Sequence, residues 1–289
     1  MYLPDFDYLA PDSLQDVCNL LAEHAPDALV LSGGTDLMVS MKHGLVEPKI
    51  LVSLRNLEEL RNIRHEPGTG VVIGARTTHN EIMNSPILHE RYLSVSEAAH
   101  SMAATQVRNT GTIGGNIANA IPSADLPPIL ISLGATVTLH GCEGERTLPL
   151  EGFFTGPRKS VLKQDEVITH VTIPDHPVTG STYLKFGLRR AGALAVVGVA
   201  AAVNMEGNTV RDCRIALGAV APVPLRAREA EAVLKDKEWT EELLEEAGQK
   251  AAAESSPISD IRGSQEYRRD MVRIFTRRAL RKAITEGHV

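Results

Sequence analysis

The stretch from Gln106 to Asp125, QVRNTGTIGGNIANAIPSAD, constrains the fold of this chain more than any other segment. It concentrates three glycines, Gly111, Gly114 and Gly115, in what we expect to be one short non-helical run. Glycine lets a backbone approach a ligand closely or adopt positive φ without steric cost. Successive N–H groups in such a run can form a concave anion site. The equal alternative is a glycine-rich crossover loop between packed layers, because glycine clusters also mark ordinary turns.

A second glycine turn lies near the N-terminus, in DALVLSGGTDLMVSMKHG. The pattern predicts a strand at Ala28–Leu31 and a tight turn at Ser32–Gly34. A helix should follow from Asp36, with Thr35 as its N-cap. A strand, a glycine turn and a helix N-terminus together present free amides to a phosphate. Two such turns suggest two lobes that hold one extended diphosphate ligand.

Bulk properties exclude several classes of protein. The 289 residues allow two or three small domains, and 43% hydrophobic with 23% charged residues is typical of a globular protein. The formal net charge of −6 argues against a nucleic-acid-binding protein. We expect no membrane span, because no apolar run reaches the roughly 20 residues that one needs. The first residues lack the features of a secretory signal, so a cytoplasmic location is expected.

Three motifs together resemble the FAD-binding subunit of the molybdenum hydroxylases. They are SGGTDL at Ser32–Leu37, GARTTHNEI at Gly74–Ile82, and VRNTGTIGGNIANA with SAD within Val107–Asp125. That family includes the medium subunit of carbon monoxide dehydrogenase and the flavin domain of xanthine dehydrogenase. The resemblance covers essentially the whole chain. It implies an α+β protein: a two-lobe α/β FAD-binding module of the PCMH/VAO-like type, then a C-terminal domain with a three-stranded antiparallel sheet and a helical bundle.

The hydrophobic pattern supports the same division of the chain. We place the first lobe at residues 1–57, the second at 58–176 and the C-terminal domain at 177–289. The second lobe should contain a hairpin and one long helix, and the C-terminal domain a meander of three strands followed by helices. The corresponding segments are Arg61–His65 with Val71–Ala75, Leu88–Ser101, and then Ser181–Leu188, Ala195–Met205 and Thr209–Ala219.

The resemblance also implies which residues bind FAD. Backbone amides of the two turns would hold the pyrophosphate, Asp125 would contact the flavin nucleotide, and Lys185 would reach the flavin site from the third domain. Other roles stay open for the last two: Asp125 can cap the following helix, and Lys185 can protect an edge strand. The full expected set is Ser32, Gly33, Gly34, Thr35, Asp36, Thr112, Ile113, Gly114, Gly115, Asn116, Asn119, Asp125 and Lys185.

No catalytic residue and no metal site are expected in this chain. His79 has no His, Cys or carboxylate cluster at ligand spacing beside it. The three cysteines, Cys18, Cys142 and Cys213, are too scattered for a disulfide framework or an iron–sulfur site. The last predicted helix carries a basic face, for which a solvated surface is favoured over a contact with a partner subunit. Its residues are Arg268, Arg269, Arg273, Arg277, Arg278, Arg281 and Lys282.

A borrowed reactive centre explains this lack of catalytic groups. The resemblance implies that FAD takes electrons from a 2Fe–2S cluster on a small partner subunit, which is supplied by a molybdopterin-containing large subunit. The electrons would leave to an external acceptor such as NAD, a quinone or another carrier. Two alternatives remain at this stage: a stand-alone FAD-dependent oxidoreductase that binds its own substrate, and a nucleotide-binding or scaffold protein that has lost flavin.

Overall fold

Three sheets organise the chain, and the computed structural model describes residues 3–189 and 192–287. The first sheet is parallel, in the order β1-β3-β2. Two helices connect its strands, and Ser13 caps the first of them by accepting a hydrogen bond from the amide of Asp16. The elements are β1 (Asp7–Leu9), α1 (Leu14–Glu23), β2 (Ala28–Leu31), α2 (Leu37–Lys42) and β3 (Ile50–Ser53).

The second sheet has five strands, and six helices separate its second strand from its third along the chain. Its elements are β4 (Ile63–Glu66), β5 (Gly70–Gly74), α3 (His79–Met83), α4 (Pro86–Arg91), α5 (Leu93–His100), α6 (Thr105–Arg108), α7 (Ile113–Ala118), α8 (Leu126–Ser132), β6 (Thr136–Gly141), β7 (Gly144–Pro149), β8 (Phe154–Gly156), β9 (Lys159–Ser160) and β10 (Val167–Pro174). The order is β4-β5-β10-β6-β7, whereas β8 and β9 form a separate small hairpin.

The C-terminal part is the predicted antiparallel meander with helices on one face. Three long strands run in sequence order, and two short strands, β14 and β15, both pair with β13. The elements are β11 (Gly180–Phe186), β12 (Val197–Glu206), β13 (Thr209–Gly218), β14 (Leu225–Arg226), α9 (Arg228–Leu234), β15 (Lys237–Glu238), α10 (Glu241–Glu254) and α11 (Gln265–Thr285). The predicted two α/β lobes followed by an α+β domain are therefore confirmed.

Both faces of the meander are buried, and this fixes the C-terminal part on the second lobe. In β12, Val199 and Val203 belong to the core under the C-terminal helices. The alternating residues Ala200 and Ala202 face the core of the second lobe. Small side chains on that face let α8 approach closely: a Cβ atom at Gly218 would lie 2.7 Å from Cγ of Pro128. This contact brings the C-terminal sheet to the edge of the cleft described below.

Two expectations for helix boundaries are wrong. The single helix expected at Leu88–Ser101 is two helices, because Tyr92 leaves the helical conformation at φ −149° and ψ 61°. Its hydroxyl donates to the carbonyl of Pro174 at 3.2 Å, a tertiary contact that local propensity cannot show. At the first glycine turn, α2 begins at Leu37 with Asp36 as the N-cap residue, so Thr35 does not cap it.

The glycine-rich stretch is not the non-helical run that we expect from its composition. It contains the end of α6 and all of α7, and Gly114 and Gly115 lie inside α7. Neither they nor Gly111 has positive φ. Glycine is required at 114 for packing instead, because a Cβ atom there would lie 2.7 Å from Cβ of Ala75 and 2.8 Å from its carbonyl oxygen.

The basic face of α11 remains partly exposed to solvent, but most of its side chains form ion pairs within the chain and Arg268 is buried. Arg268 is 1% exposed and forms an ion pair with Asp260. Arg273 and Arg277 both bind Glu245 on α10. These ion pairs stabilise the packing of α11 against α10 and the loop before α11. Within the described residues, no helix is both long and apolar enough to cross a membrane.

Candidate functional site

A cleft of about 650 Å³ lies between the first lobe, the second lobe and the loop that precedes β12, and its size is typical of small-molecule sites. All three parts of the chain line it, including Leu31, Val167 and Leu194. Of the thirteen residues expected to bind the cofactor, only Ile113 and Lys185 do not line this cleft. Those that do are Ser32, Gly33, Gly34, Thr35, Asp36, Thr112, Gly114, Gly115, Asn116, Asn119 and Asp125.

The first glycine turn offers unoccupied backbone donors to the cleft. None of the amides from Gly33 to Leu37 donates a hydrogen bond to another residue that the structure describes. Gly34 adopts φ +69°, the left-handed conformation that glycine tolerates and that turns the chain sharply after β2. A row of free amides at the start of a helix attracts anions, because each N–H carries partial positive charge.

The second glycine segment has a different local chemistry. Its amides already have acceptors in the protein: Ile113 donates to the carbonyl of Thr77, and Gly114 to that of Ala75. The amide of Gly115 donates to Oγ1 of Thr112, the N-cap residue of α7, at 3.2 Å. The amides of Ile113, Gly114 and Gly115 are therefore not free for a ligand, which corrects the expectation that the backbone of this segment holds a pyrophosphate, and the segment offers side chains to the cleft instead.

The two glycine segments touch each other, although they are far apart in sequence. The hydroxyl of Thr112 donates to that of Ser32 at 3.2 Å. Gly33 has no room for a side chain, because an added Cβ atom would lie 2.0 Å from the carbonyl oxygen of Thr110. The two glycine segments are thus in direct contact with each other.

Three buried polar atoms of residues that line the cleft suggest a polar ligand. Oδ1 of Asn116, Nδ2 of Asn119 and Nδ1 of His79 have no hydrogen-bond partner among the described residues. A buried polar atom without a partner costs about 1–3 kcal/mol, so native proteins rarely leave one unpaired. A bound ligand with several hydrogen-bonding groups would relieve this cost.

His79 is a cleft residue that the sequence reasoning weighed only as a metal ligand. It is 3% exposed and follows Thr78, which caps α3 through a reciprocal capping box with Glu81. Burial, helped by the nearby positive charge of Arg108, lowers the pKa of His79 to about 4. The imidazole is therefore neutral at physiological pH. The capping signal TTHN places this residue at a helix start, but only the fold shows that the helix faces the cleft.

Asp125 and Lys185 were each expected at the flavin site, and the structure pairs them with each other. Nζ of Lys185 lies 2.8 Å from Oδ2 of Asp125 and also donates to the carbonyl of Ser101. The hydroxyl of Tyr183 donates to the other carboxylate oxygen at 2.7 Å. Burial raises the pKa of Asp125, and the pair with Lys185 opposes that rise. Both charges are thus neutralised at the seam between the second lobe and β11.

The simpler roles considered for these two residues are not what the structure shows. Asp125 occupies the N-cap position of α8, but its side chain makes no capping hydrogen bond. Lys185 does lie on an edge strand, since β11 ends its sheet. Its side chain is nevertheless only 12% exposed, so it cannot protect that edge from other chains.

No cluster of three or more His, Cys, Asp or Glu side chains that could hold a metal ion occurs within residues 3–189 and 192–287. The three cysteines are free thiols, with Cys18 and Cys213 buried and Cys142 exposed.

Comparison with known proteins identifies relatives across the whole chain. The family described as FAD binding domain in molybdopterin dehydrogenase matches residues 4–176, and the CO dehydrogenase flavoprotein C-terminal domain matches residues 182–283. The carbon monoxide dehydrogenase medium chain of Hydrogenophaga pseudoflava is 39% identical, over 98% of each chain. The xanthine dehydrogenase FAD-binding subunit of Escherichia coli is 31% identical, over 94% of each chain.

Solved structures give the same result for the fold. Carbon monoxide dehydrogenase from Hydrogenophaga pseudoflava, in a form that lacks the Mo-pyranopterin moiety of the molybdenum cofactor, contains a chain that superposes with a TM-score of 0.96 at 38% identity. The match covers 99% of this chain and 100% of that one. The arrangement of both lobes and the C-terminal domain is therefore shared along the full length.

Proposed function

This chain belongs to the FAD-binding subunits of the molybdenum hydroxylases, and from this we propose that it is the electron-transfer subunit of a heteromeric complex. Its FAD would receive electrons from a 2Fe–2S cluster on a small subunit, which a molybdopterin-containing large subunit reduces. The electrons would then pass to an external acceptor such as NAD, a quinone or another carrier. Segments 1–57, 58–176 and 177–289 serve in this proposal as two FAD-binding lobes and a C-terminal domain, and the location is cytoplasmic.

The observation that carries the proposal is the cleft between the two lobes and the loop that precedes β12. Its free amides between Gly33 and Leu37 suit a diphosphate, and its unpartnered atoms on Asn116, Asn119 and His79 suit the polar groups of an extended nucleotide. Its size and its row of donors fit FAD. Bound FAD supplies the redox chemistry, and this chain supplies position, hydrogen bonds and exclusion of water.

The thirteen expected residues take distinct parts in this proposal. The first turn binds the diphosphate through its amides, whereas Gly114 and Ile113 set the close packing of α7 on the second sheet. Asn116 and Asn119 offer side-chain hydrogen bonds. Asp125 contacts the nucleotide from the wall of the cleft, and Lys185 holds that carboxylate in place and keeps it ionised.

The substrate of the complex is a property of the large subunit in this proposal. The names of two relatives with similar coverage refer to different substrates, carbon monoxide and xanthine. A subunit that keeps the same fold in enzymes with such different substrates is expected to perform a step that those enzymes share. Electron transfer is the role that fits such a chain best, because it requires a flavin site and a partner surface but no substrate pocket.

An anaerobic titration of the purified, flavin-loaded chain tests the proposal. Dithionite should bleach the flavin absorbance, whereas organic hydroxylase substrates should leave it unchanged until the small and large subunits are added. Rapid reduction of the isolated chain by an organic substrate would instead support the stand-alone oxidoreductase. A chain that neither retains nor rebinds flavin would support the scaffold that has lost its cofactor.

A further inference from the structure

Arg158 combines a strained backbone with a charged side chain, which distinguishes it from Ala103, the other residue with a Cβ atom and positive φ among those described along the cleft. It lies at the turn of the β8–β9 hairpin with φ +57°. A residue with a Cβ atom pays on the order of 1 kcal/mol for this left-handed conformation, whereas glycine adopts it freely. The amide of Arg158 donates to the carbonyl of Ala120 at 2.9 Å, which fixes the hairpin against the end of α7. The backbone would accept glycine here, so the side chain needs another explanation.

The charge balance of the cleft offers that explanation. Among the described side chains that line it, the acids are Asp36, Asp125 and Glu166, and Arg158 is the one lysine or arginine. Glu166 is held by both nitrogens of a bidentate pair with Arg146, which does not line the cleft. Without Arg158 a doubly negative ligand would therefore meet only acids and neutral groups along these walls.

The guanidinium of Arg158 has a neutral partner in the protein. Its Nη1 donates to Oδ1 of Asn119 at 3.2 Å, and among the described residues no carboxylate pairs with it. This bond also orients the amide of Asn119. Because its oxygen is taken by Arg158, its buried Nδ2 is left as a donor without a partner. The two side chains thus present a cation and an N–H donor side by side.

We propose that Arg158 binds the anionic diphosphate of the flavin nucleotide and holds Asn119 in place as a second donor to it. This inference rests on the proposed function, since it takes FAD as the ligand of the cleft. Arginine suits such a site because its planar fork matches phosphate oxygens in two directions. The free amides from Gly33 to Leu37 would complete the diphosphate site from the opposite lobe.

The variant Arg158→Gly tests the proposal, because stability and binding should respond in opposite directions. The flavin-free variant should unfold at the same or a higher temperature than wild type, since the backbone strain is relieved. Its Kd for FAD, measured by quenching of flavin fluorescence, should rise roughly ten- to hundredfold, the range for losing a charged hydrogen bond. The matched control is Lys159→Gln, the neighbouring cation, which does not line the cleft and should leave both quantities unchanged.

Ligand fragments and salt identify the group that Arg158 contacts. ADP, which carries the diphosphate, should lose affinity for Arg158→Gly as FAD does, whereas riboflavin should bind both proteins alike. The loss for FAD should shrink at high ionic strength, and Arg158→Lys should recover part of it. Asn119→Ala should weaken the binding of FAD less than Arg158→Gly does.

Two results would overturn the inference. One is unchanged FAD and ADP affinity in Arg158→Gly, and the other is an equal loss for riboflavin, which has no phosphate. A wild-type chain that fails to bind FAD at all would instead defeat the proposed function, so the two failures are distinguishable.

Discussion

Ser32 and Thr112 are 80 residues apart in the chain, and their hydroxyl groups lie 3.2 Å from each other. Through this bond the turn after β2 meets the N-cap residue of α7, so that both glycine segments line the same cleft. Oγ1 of Thr112 also accepts a hydrogen bond from the amide of Gly115. One side chain thus both starts a helix and joins two lobes.

We expect Thr112→Val to be more harmful than Ser32→Ala. Ser32→Ala loses one hydrogen bond, worth about 1 kcal/mol, whereas Thr112→Val also loses a helix cap worth about 1 kcal/mol more. Both variants should weaken FAD binding, because they loosen the alignment of the two turns. Chemical denaturation and flavin titration measure the two effects. Ser13→Ala, which loses only the cap of α1, is the control and should leave FAD affinity unchanged.

Adjacent glycines in α7 should separate a packing role from a ligand-facing role. Gly114→Ala should destabilise the chain by about 1–3 kcal/mol, because its Cβ atom would clash with Ala75. Gly115 is exposed towards the cleft, and a Cβ atom there would meet only Oγ1 of Thr112, at 3.2 Å. Gly115→Ala should therefore keep the stability of the flavin-free chain and reduce its affinity for FAD. If Gly114→Ala proves as stable as wild type, the close packing is not required.

Removing one partner of the Asp125–Lys185 pair should be costly. Lys185→Met leaves a buried carboxylate without its cation. Such a change typically lowers the free energy of unfolding by about 3–5 kcal/mol. The exposed pair of Lys49 with Asp27 provides a matched control, and Lys49→Met should reduce stability far less than Lys185→Met does. Urea denaturation of the flavin-free proteins compares them. Adding Asp125→Asn to Lys185→Met should restore part of the loss, and a purely additive double variant would contradict direct coupling.

His79 should make the stability of the flavin-free chain depend on pH. Its folded pKa, about 4, is below the ordinary value of 6.5, so between these values the unfolded chain binds a proton that the folded chain does not. Stability is then complete above pH 6.5 and falls as pH decreases towards 4, by roughly 3 kcal/mol at most. His79→Leu should flatten this slope. The pKa of His170 is lowered by burial as well, so a smaller slope of the same sign should remain.

Local sequence signals predicted most of the elements correctly. Ser13 and Thr78 cap helices because their hydroxyls reach amides three residues ahead, a geometry that the chain itself supplies. Alternating apolar residues gave the hairpin of β4 with β5 and the meander from β11 to β13. The motifs around both glycine turns were sufficient for the family, since they lie within short continuous stretches.

Long-range contacts account for what the sequence left undetermined. Tyr92 breaks a helix at a point where its hydroxyl reaches Pro174, 82 residues away. The basic side chains of α11 look solvated in sequence but find acids on α10 and in the loop before α11. His79 lies within the motif GARTTHNEI and Arg158 lies in none of the three motifs. Neither is marked as a cleft residue by its local sequence, and only the fold brings the two to the same cavity.

The sequence alone predicted most of the strands and helices, and its short motifs were sufficient to recognise the family. Those features depend on backbone hydrogen bonds and side-chain periodicity within a few residues. The tertiary structure decided what each glycine is for, and which charges are neutralised inside the chain. Such roles depend on atoms brought within about 3 Å by packing, as Ala75 is to Gly114 and Asp125 is to Lys185. Distances of that kind arise from the packing of segments that are far apart in the chain, which no local pattern encodes.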